Sequence, residues 1–187
     1  MLAPVLLTPP AALPVSLAEA KSHLRVDHDE DDALIGGFIA AAVGHLDGWS
    51  GILGRCLVTQ TWRVGYAGWW SLRLPFPDVQ SVVVRYRDAA GVEQTVAGSS
   101  YFVEDGAVRF VPGWSAPALY VGGPAPVSVD VTTGFGDPED VPWELKTAVL
   151  LHVGTLYQHR ETLGDAARAA PTGVYEGFVS PWRAVRV

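Results

Sequence analysis

One stretch of the sequence, residues 141–157, decides the fold and reads VPWELKTAVLLHVGTLY. Its apolar residues recur at a spacing of four, at Leu145, Val149, Val153 and Tyr157, with Ala148, Leu151 and Leu156 widening the stripe. This spacing predicts an amphipathic helix over residues 140–160. Asp140 is expected to cap its first amide groups, and Pro142 suits its first turn. Because so broad an apolar face is unfavourable in water, the helix requires a partner helix.

The partner is predicted about 100 residues earlier, beginning at Asp31. Two neighbouring rows share the apolar spacing of a helix, Leu34, Phe38, Ala42 and Leu46 in one and Ile35, Ile39 and Val43 in the other. Glycines between Gly48 and Gly51 can adopt the left-handed conformation that ends a helix. Before it, Ser16 and Glu19 form the pattern of a capping box, which predicts a short helix over residues 17–24.

Between the two long helices, the apolar period changes from 3.6 residues to two, as expected for β-strands. The alternation predicts about seven short strands, at residues 58–66, 70–74, 82–87, 92–96, 101–103, 108–111 and 127–131. Asp105-Gly106 is the typical sequence of a type I′ turn, so the fifth and sixth strands are expected to form a hairpin. The strands do not alternate with helices, which excludes a parallel βαβ arrangement.

This order predicts an α+β protein in which a small antiparallel helical unit contains an inserted antiparallel β-sandwich or barrel-like module. Extended arms are expected at both ends. The predicted boundaries are an extended arm over residues 1–15, a helical unit over 16–52 and 137–162, a β module over 55–135, and a linker with a C-terminal docking tail over 163–187.

The composition narrows the possible functions. The chain has 187 residues, of which 49% are hydrophobic and 18% charged, as in globular proteins. Its one cysteine, Cys56, excludes an internal disulfide and fits synthesis in a reducing cytoplasm. The apolar runs are shorter than the roughly 20 residues that span a bilayer, so no membrane contact is expected. The net charge of −7 argues against sequence-specific DNA binding, but it is compatible with a protein that lines a passage through which DNA slides.

The sequence contains no pattern that demands catalysis, a cofactor or a metal. The acidic run Asp27–Asp32 begins like a calcium loop, but Asp32 stands where the loop needs glycine and Phe38 where it needs glutamate, so an acidic helix start is favoured. The five histidines and Cys56 lack zinc spacing. Neither a nucleophile elbow nor a phosphate-binding glycine pattern occurs. His152 is expected in a core or an interface. We therefore predict a protein that is not an enzyme, with no catalytic, cofactor or metal residues.

The aromatic residues of the β module admit two interpretations. Trp69, Trp70 and Trp114, with Tyr120, could form a stacking platform for sugars, as in a carbohydrate-binding β module of a phage or bacterial surface protein. In the second interpretation, which we favour, Trp62 and Trp70 belong to the core while Trp69 and Trp114 cover a rim or a subunit contact.

The C-terminal end also admits two interpretations. After small and polar residues at 161–171, apolar, aromatic and basic residues return, at Tyr175, Phe178, Pro181, Trp182, Arg183, Val185, Arg186 and Val187. Such a tail can fold back onto its own domain. A linker followed by hydrophobic anchors and arginines is equally typical of a chain end that docks into a partner's groove.

Several segments, in this order, resemble the tailed-phage head–tail connector (adaptor) family, which includes adaptors of gene transfer agents. The opening LAEAKSHLRV at residues 17–26 and DDALI at 31–35 resemble the family's start, and GRCLVTQTW at 54–62 its entry into the β insertion. The segments at 141–146 and 156–161 resemble its last helix, and PWRAVR at 181–186 its closing segment. Trp182 stands where a tyrosine is more usual, and the loop over residues 112–126 is long.

The resemblance implies a homo-oligomeric ring, commonly a dodecamer, beneath the portal protein. The ring would bridge the portal to a stopper or tail-completion protein, with DNA as passing cargo. The protein would be made in the bacterial cytoplasm and act in the neck of a virion or phage-like particle. Residues expected to contact the portal are Tyr175, Phe178, Pro181, Trp182, Arg183 and Arg186.

Overall fold

The computed structural model describes residues 1–159 and 173–184, which divide into two compact units. We call Met1–Pro9 and Thr59–Gly134 the β unit, and Pro10–Val58 with the chain from Phe135 onward the helical unit. The predicted α+β class, with antiparallel strands inserted between the helices, is confirmed. None of the helices in the described part of the chain is long and apolar enough to cross a membrane.

The described residues of the helical unit form four α-helices: α1 (Leu17–Leu24), α2 (Asp32–Leu46), α3 (Trp143–Gln158) and α4 (Gly173–Val179). The predicted capping box of α1 is confirmed, since the Glu19 amide donates to the Ser16 hydroxyl and the Ser16 amide donates to the Glu19 carboxylate. Helix α2 ends where glycine was expected to end it, because Gly48 has a φ of +73° directly after the cap residue Asp47.

Helices α2 and α3 pack against each other, as their apolar stripes predicted. Their shared core contains Ile35, Ile39, Ala42, Val43 and Leu46 from α2, and Leu145, Ala148, Val149 and Val153 from α3. Burying each larger side chain contributes about 1.5–3 kcal/mol. The stripe of α2 is rotated from the expected rows, because Leu34 remains 38% exposed while its neighbour Ile35 is fully buried.

The start of α3 differs from the expectation. Its cap residue is Pro142, and Asp140 does not cap it. Asp140 instead belongs to a 3₁₀ turn, Pro138–Asp140, where its carboxylate accepts a hydrogen bond from the Asp137 amide at 2.9 Å. The Asp140 side chain could bond either to the 3₁₀ turn or to the first turn of α3, and it bonds to the 3₁₀ turn.

The β unit contains a five-stranded antiparallel sheet in the order β1-β2-β7-β3-β4, and a separate hairpin, β5-β6. The strands are β1 (Val5–Thr8), β2 (Gln60–Tyr66), β3 (Val79–Arg87), β4 (Glu93–Thr95), β5 (Tyr101–Glu104), β6 (Ala107–Phe110) and β7 (Val127–Thr133). Sheet and hairpin share one core, which includes Val64, Val84, Val108 and Val129. The predicted type I′ turn is confirmed by positive φ angles at Asp105 and Gly106.

The entry and the exit of the inserted unit are neighbours. Gln60, the first residue of β2, pairs with Thr133, the last residue of β7. In the helical unit, the amide of Phe135 donates to the carbonyl of Leu57 at 3.0 Å. The ends of the insertion are thus held side by side, so the long connection between α2 and α3 costs little additional loop-closure entropy once the strands have paired.

Two expectations for the β unit were wrong. Residues 70–74 form an isolated bridge, Arg73 to Ala107, rather than a strand. Trp70 is 76% exposed, whereas Trp69 packs against the core. The alternation of apolar residues predicted Trp70 in the core instead of Trp69. It failed because residues 70–74 form a loop, and side chains alternate between two faces only in a strand.

We expect Leu145→Ala to lower the free energy of unfolding of the helical unit by about 2–5 kcal/mol, since Leu145 is completely buried between the helices. Leu34→Ala on α2 is the matched control, because the same atoms are removed from a partly exposed side chain. Urea unfolding followed by circular dichroism measures both. Equal losses for the two variants would contradict the helix pairing.

Candidate partner-binding site

The C-terminal segment, which we define as α4, the 3₁₀ turn Ser180–Trp182 and Arg183–Ala184, folds onto its own helical unit. Tyr175 is 5% exposed, and Val179 is completely buried. Both belong to the core that α2 and α3 build. For the described residues, the structure therefore has the tail packed on its own domain, one of the two interpretations that the sequence left open.

The Arg55 guanidinium packs against two aromatic rings and stabilises the end of this segment. Trp182 meets Phe135 edge to face, with ring centroids 5.5 Å apart. The Arg55 guanidinium lies 5.5 Å from the centroid of Phe135 and 5.6 Å from that of Trp182. Contacts of this kind contribute about 0.5–2 kcal/mol each. Two residues later, the Ala184 amide donates to the Leu53 carbonyl at 2.7 Å.

Sequence reasoning missed Arg55 and Phe135 as members of this site. Both were visible only as parts of other features, Arg55 beside a predicted strand entry and Phe135 in a glycine-containing turn. No local pattern marks them, because the contacts join residues more than 40 positions apart along the chain.

Three rings form the other anchor of the segment. His152 on α3 lies edge to face with His45 of α2, at 5.2 Å between centroids, and with Tyr175, at 6.0 Å. Burial, followed by the nearby His45, lowers the pKa of His152. Burial raises the pKa of Tyr175 to about 12, with a further contribution from Glu176. The lowered pKa favours the neutral form of His152, which lies half-buried next to Tyr175 of α4.

Two polar atoms in this cluster lack hydrogen-bond partners within the described part of the chain. They are the Tyr175 hydroxyl and the His152 Nδ1. A buried polar group without a partner costs about 1–3 kcal/mol. Apolar and aromatic packing therefore stabilises the inner face of the segment, and its free energy exceeds the cost of burying these two polar atoms.

The outer face of the segment presents some of the residues expected to contact a partner. Pro181 and Arg183 are exposed, and Phe178 and Trp182 are half-buried. Arg183 forms an ion pair with Glu176 at 2.9 Å, and both side chains remain more than 40% exposed. Tyr175 faces inward. Arg186 lies outside the described residues.

The acidic run before α2 has an internal cation. The Lys21 ammonium lies 2.7 Å from Asp29 and 2.6 Å from Asp32. These two ion pairs join α1 to the start of α2 and the residues before it. Among residues 1–159 and 173–184, no group of three or more His, Cys, Asp or Glu side chains is placed to hold a metal ion.

The tryptophans expected as a possible sugar platform do not share a flat surface. Trp69 donates its indole N–H to the Pro117 carbonyl and meets Trp114 at an interplanar angle of 78°. Trp114 stacks on Phe110 with centroids 3.7 Å apart. Of Trp69, Trp70 and Trp114, only Trp70 extends into solvent. The rings close the β unit's own core, which does not favour the carbohydrate-binding alternative.

Comparison with known proteins supports a different function. Residues 14–67 match the family model described as "Phage gp6-like head-tail connector protein". A comparison with curated proteins found no match. Among solved structures, a chain of "Virion of native gene transfer agent (GTA) particle" is 28% identical, with a TM-score of 0.78, covering 100% of this chain and 97% of that one.

Two further structures show the same likeness. A chain of "Neck of empty GTA particle computed with C6 symmetry" has a TM-score of 0.77, 28% identity and coverage of 98% of this chain and 96% of that one. A chain of "Neck of native GTA particle computed with C12 symmetry" has a TM-score of 0.70, 28% identity and coverage of 97% of both chains. The resemblance to head–tail connectors, stated from the sequence, is confirmed.

Tyr175→Phe is expected to raise the free energy of unfolding of the helical unit by about 1 kcal/mol, because it removes a buried hydroxyl without a partner. Tyr101→Phe is the control, since the Tyr101 hydroxyl donates to the Val82 carbonyl at 3.1 Å and its loss should destabilise the β unit. Denaturant unfolding of both variants distinguishes them. A destabilised Tyr175→Phe protein would show that the hydroxyl has a partner.

The lowered pKa of His152 predicts a pH dependence. The folded state binds the proton less readily than the unfolded state, so the stabilisation is complete above about pH 6.5 and is lost as the pH falls from there. We expect His152→Leu to reduce the loss of stability between about pH 7 and pH 5. Thermal unfolding across this range, with His23→Leu on the exposed face of α1 as the control, measures it. An unchanged slope would contradict the burial of His152.

Proposed function

We propose that this chain, with the fold of a gene-transfer-agent neck protein, is a head–tail connector that joins a portal to the stopper or tail-completion protein. The observation that carries the proposal is the likeness over the whole length of both chains, at a TM-score of 0.78. A connector needs rigid surfaces and no reaction chemistry.

The proposed assembly is a closed ring of identical copies, of which twelve is the expected number. A similar chain occurs in necks described with sixfold and twelvefold symmetry, which supports cyclic repetition. In a cyclic ring, each copy offers two different surfaces to its neighbours. A chain built of a helical unit and a β unit has such distinct surfaces to offer.

The C-terminal segment is the proposed portal contact, with the six residues divided between two roles. Pro181 and Arg183, with the outer parts of Phe178 and Trp182, would touch the portal. Tyr175 would hold the segment to its own subunit, since it is buried there. Arg186 is proposed as a further portal contact. Each contact is small, but a ring engaging a symmetric portal gains avidity from many simultaneous contacts.

The proposed lumen carries DNA without retaining it. The chain has 20 acidic residues against 13 lysines and arginines. Non-specific DNA affinity comes from lysine and arginine contacts to phosphates, and an acidic subunit has few such side chains to offer. The charge thus suits passage of DNA better than binding.

The direct test is removal of the gene from the producing bacterium. We expect filled heads without attached tails, and tailed particles when the wild-type chain is supplied from a plasmid. Electron microscopy counts heads with and without tails. Tailed particles at normal frequency in the absence of the chain would contradict the connector function.

Arg183→Glu tests the portal contact without disturbing the fold. The side chain is exposed and its ion pair with Glu176 is a surface pair, so we expect a stability change of less than about 1 kcal/mol. We expect at least a tenfold drop in tail attachment to heads in the complementation assay. Arg73→Glu, an equally charge-reversing change at an exposed residue of the β unit, is the control. Equal attachment by the two variants would exclude Arg183 from the contact.

A further inference from the structure

We propose that the outer edge of β1 in one copy pairs with the outer edge of β5 in the next copy, so that backbone hydrogen bonds join neighbouring subunits of the ring. This inference rests on the proposed function, because it requires several copies around an axis. Both edges lie in the β unit, and both are four residues long.

The β1 edge lacks the usual protection of an outermost strand. Strand β1 pairs with β2 on one side and is last in the order of the sheet. Its apolar side chains are exposed on both faces, with Val5 61%, Leu6 41% and Leu7 43% exposed. Natural edge strands are commonly shielded by lysines or other charges, yet the first charged side chain of this sequence is Glu19. An apolar edge without charged residues is open to pairing with another strand.

Proline limits how far such pairing can spread. Pro4 and Pro9 flank the strand, and neither has an amide N–H to donate. The register also shifts between Leu6 and Thr8. The β1 edge can therefore pair only with a short strand. This limit favours a closed assembly over open-ended aggregation.

The β5 edge is the counterpart on the same chain. In the hairpin, β6 has a neighbour on its other side: the Val108 amide donates to the Leu72 carbonyl at 2.9 Å, and the Leu74 amide donates to the Gly106 carbonyl at 2.8 Å. Strand β5 pairs with β6 alone among the described strands. Phe102 is 45% exposed and Val103 is 42% exposed. The hairpin thus offers a second short apolar edge.

The β1 and β5 edges are alike in being apolar. A groove of about 430 Å³ lies over one face of the sheet. Leu2, Val5 and Leu7 line it at β1, and Arg63, Arg87 and Glu93 line it farther across the sheet. The end of β5 and its turn combine apolar Phe102 and Val103 with the acidic pair Glu104 and Asp105. The exposed apolar side chains of β5 match the exposed apolar side chains of β1, whereas the nearby Arg63 is already paired with Asp130 at 2.6 Å.

The remaining edge of the sheet is a poorer candidate. Strand β4 has three residues, and its Glu93 lies 3.6 Å from Arg85 within the same sheet. Two β1 edges could also pair with each other, but that contact would use the same surface on both copies and close at a dimer. Pairing of β1 with β5 uses different surfaces, as a ring of more than two copies requires.

Cross-linking in assembled particles tests the pairing. The full-length double variant Leu6→Cys with Phe102→Cys is supplied to the deletion strain, and purified particles are treated with a short bismaleimide. Native Cys56 is completely buried, so the wild-type chain serves as the unreactive background. We expect a ladder of covalent oligomers beyond the dimer from the double variant, and none from either single variant.

The outcomes separate the inference from the proposed function. A ring in the neck whose double variant forms no ladder would overturn the β1–β5 pairing while leaving the connector function intact. Dimers from Leu6→Cys alone would overturn it in favour of β1–β1 pairing. Absence of the wild-type chain from the neck would overturn the proposed function itself.

A charge placed on the edge gives a second measurement. We expect Leu6→Lys to reduce incorporation of the chain into particles at least tenfold, with the unfolding transition of the purified chain unchanged. Val121→Lys is the matched control, because Val121 is 98% exposed in the β unit and belongs to neither edge. Normal incorporation of folded Leu6→Lys protein would overturn the proposal.

Discussion

The packing of α2 against α3 is the interaction on which the rest of the structure depends. The two helices are separated by almost 100 residues, and neither could keep its apolar face in water. Their contact is possible at low entropic cost because Gln60 and Thr133 pair at the mouth of the inserted unit. Strand pairing thus favours the contact between α2 and α3, and each unit has its own core.

The C-terminal segment depends on the same helix pair. Tyr175 and Val179 complete the helical core, while Arg183 and Pro181 face outward. Within one short helix and turn, some residues thus anchor the segment to its own subunit, and others remain exposed on its outer face. The Arg55 guanidinium, set between Phe135 and Trp182, fixes the end of the segment relative to its own subunit. In a ring, this would present every copy of the segment to the portal in the same orientation, which avidity requires.

Local patterns carried the sequence-based predictions that were confirmed. The capping box at Ser16, the spacing of Leu145 and Val149, and the turn at Asp105-Gly106 are each specified by residues within a few positions. Failures came where two local solutions competed or where a period was read through a loop. The Asp140 carboxylate accepts a hydrogen bond from Asp137 in the turn before α3, and Trp70 lies in a segment that is not a strand. The pairing of residues 5–8 with β2 and the position of Arg55 depend on distant partners, so no local pattern could reveal them.

The proposed assembly is a closed ring of this chain in the neck of a phage-like particle. A cryo-electron microscopy reconstruction of the neck of particles from the producing bacterium tests it most directly. The account predicts a closed ring of this chain between portal and tail, with residues 173–184 of each copy next to the portal. Density for another protein at that level, or a single copy of this chain there, would contradict it.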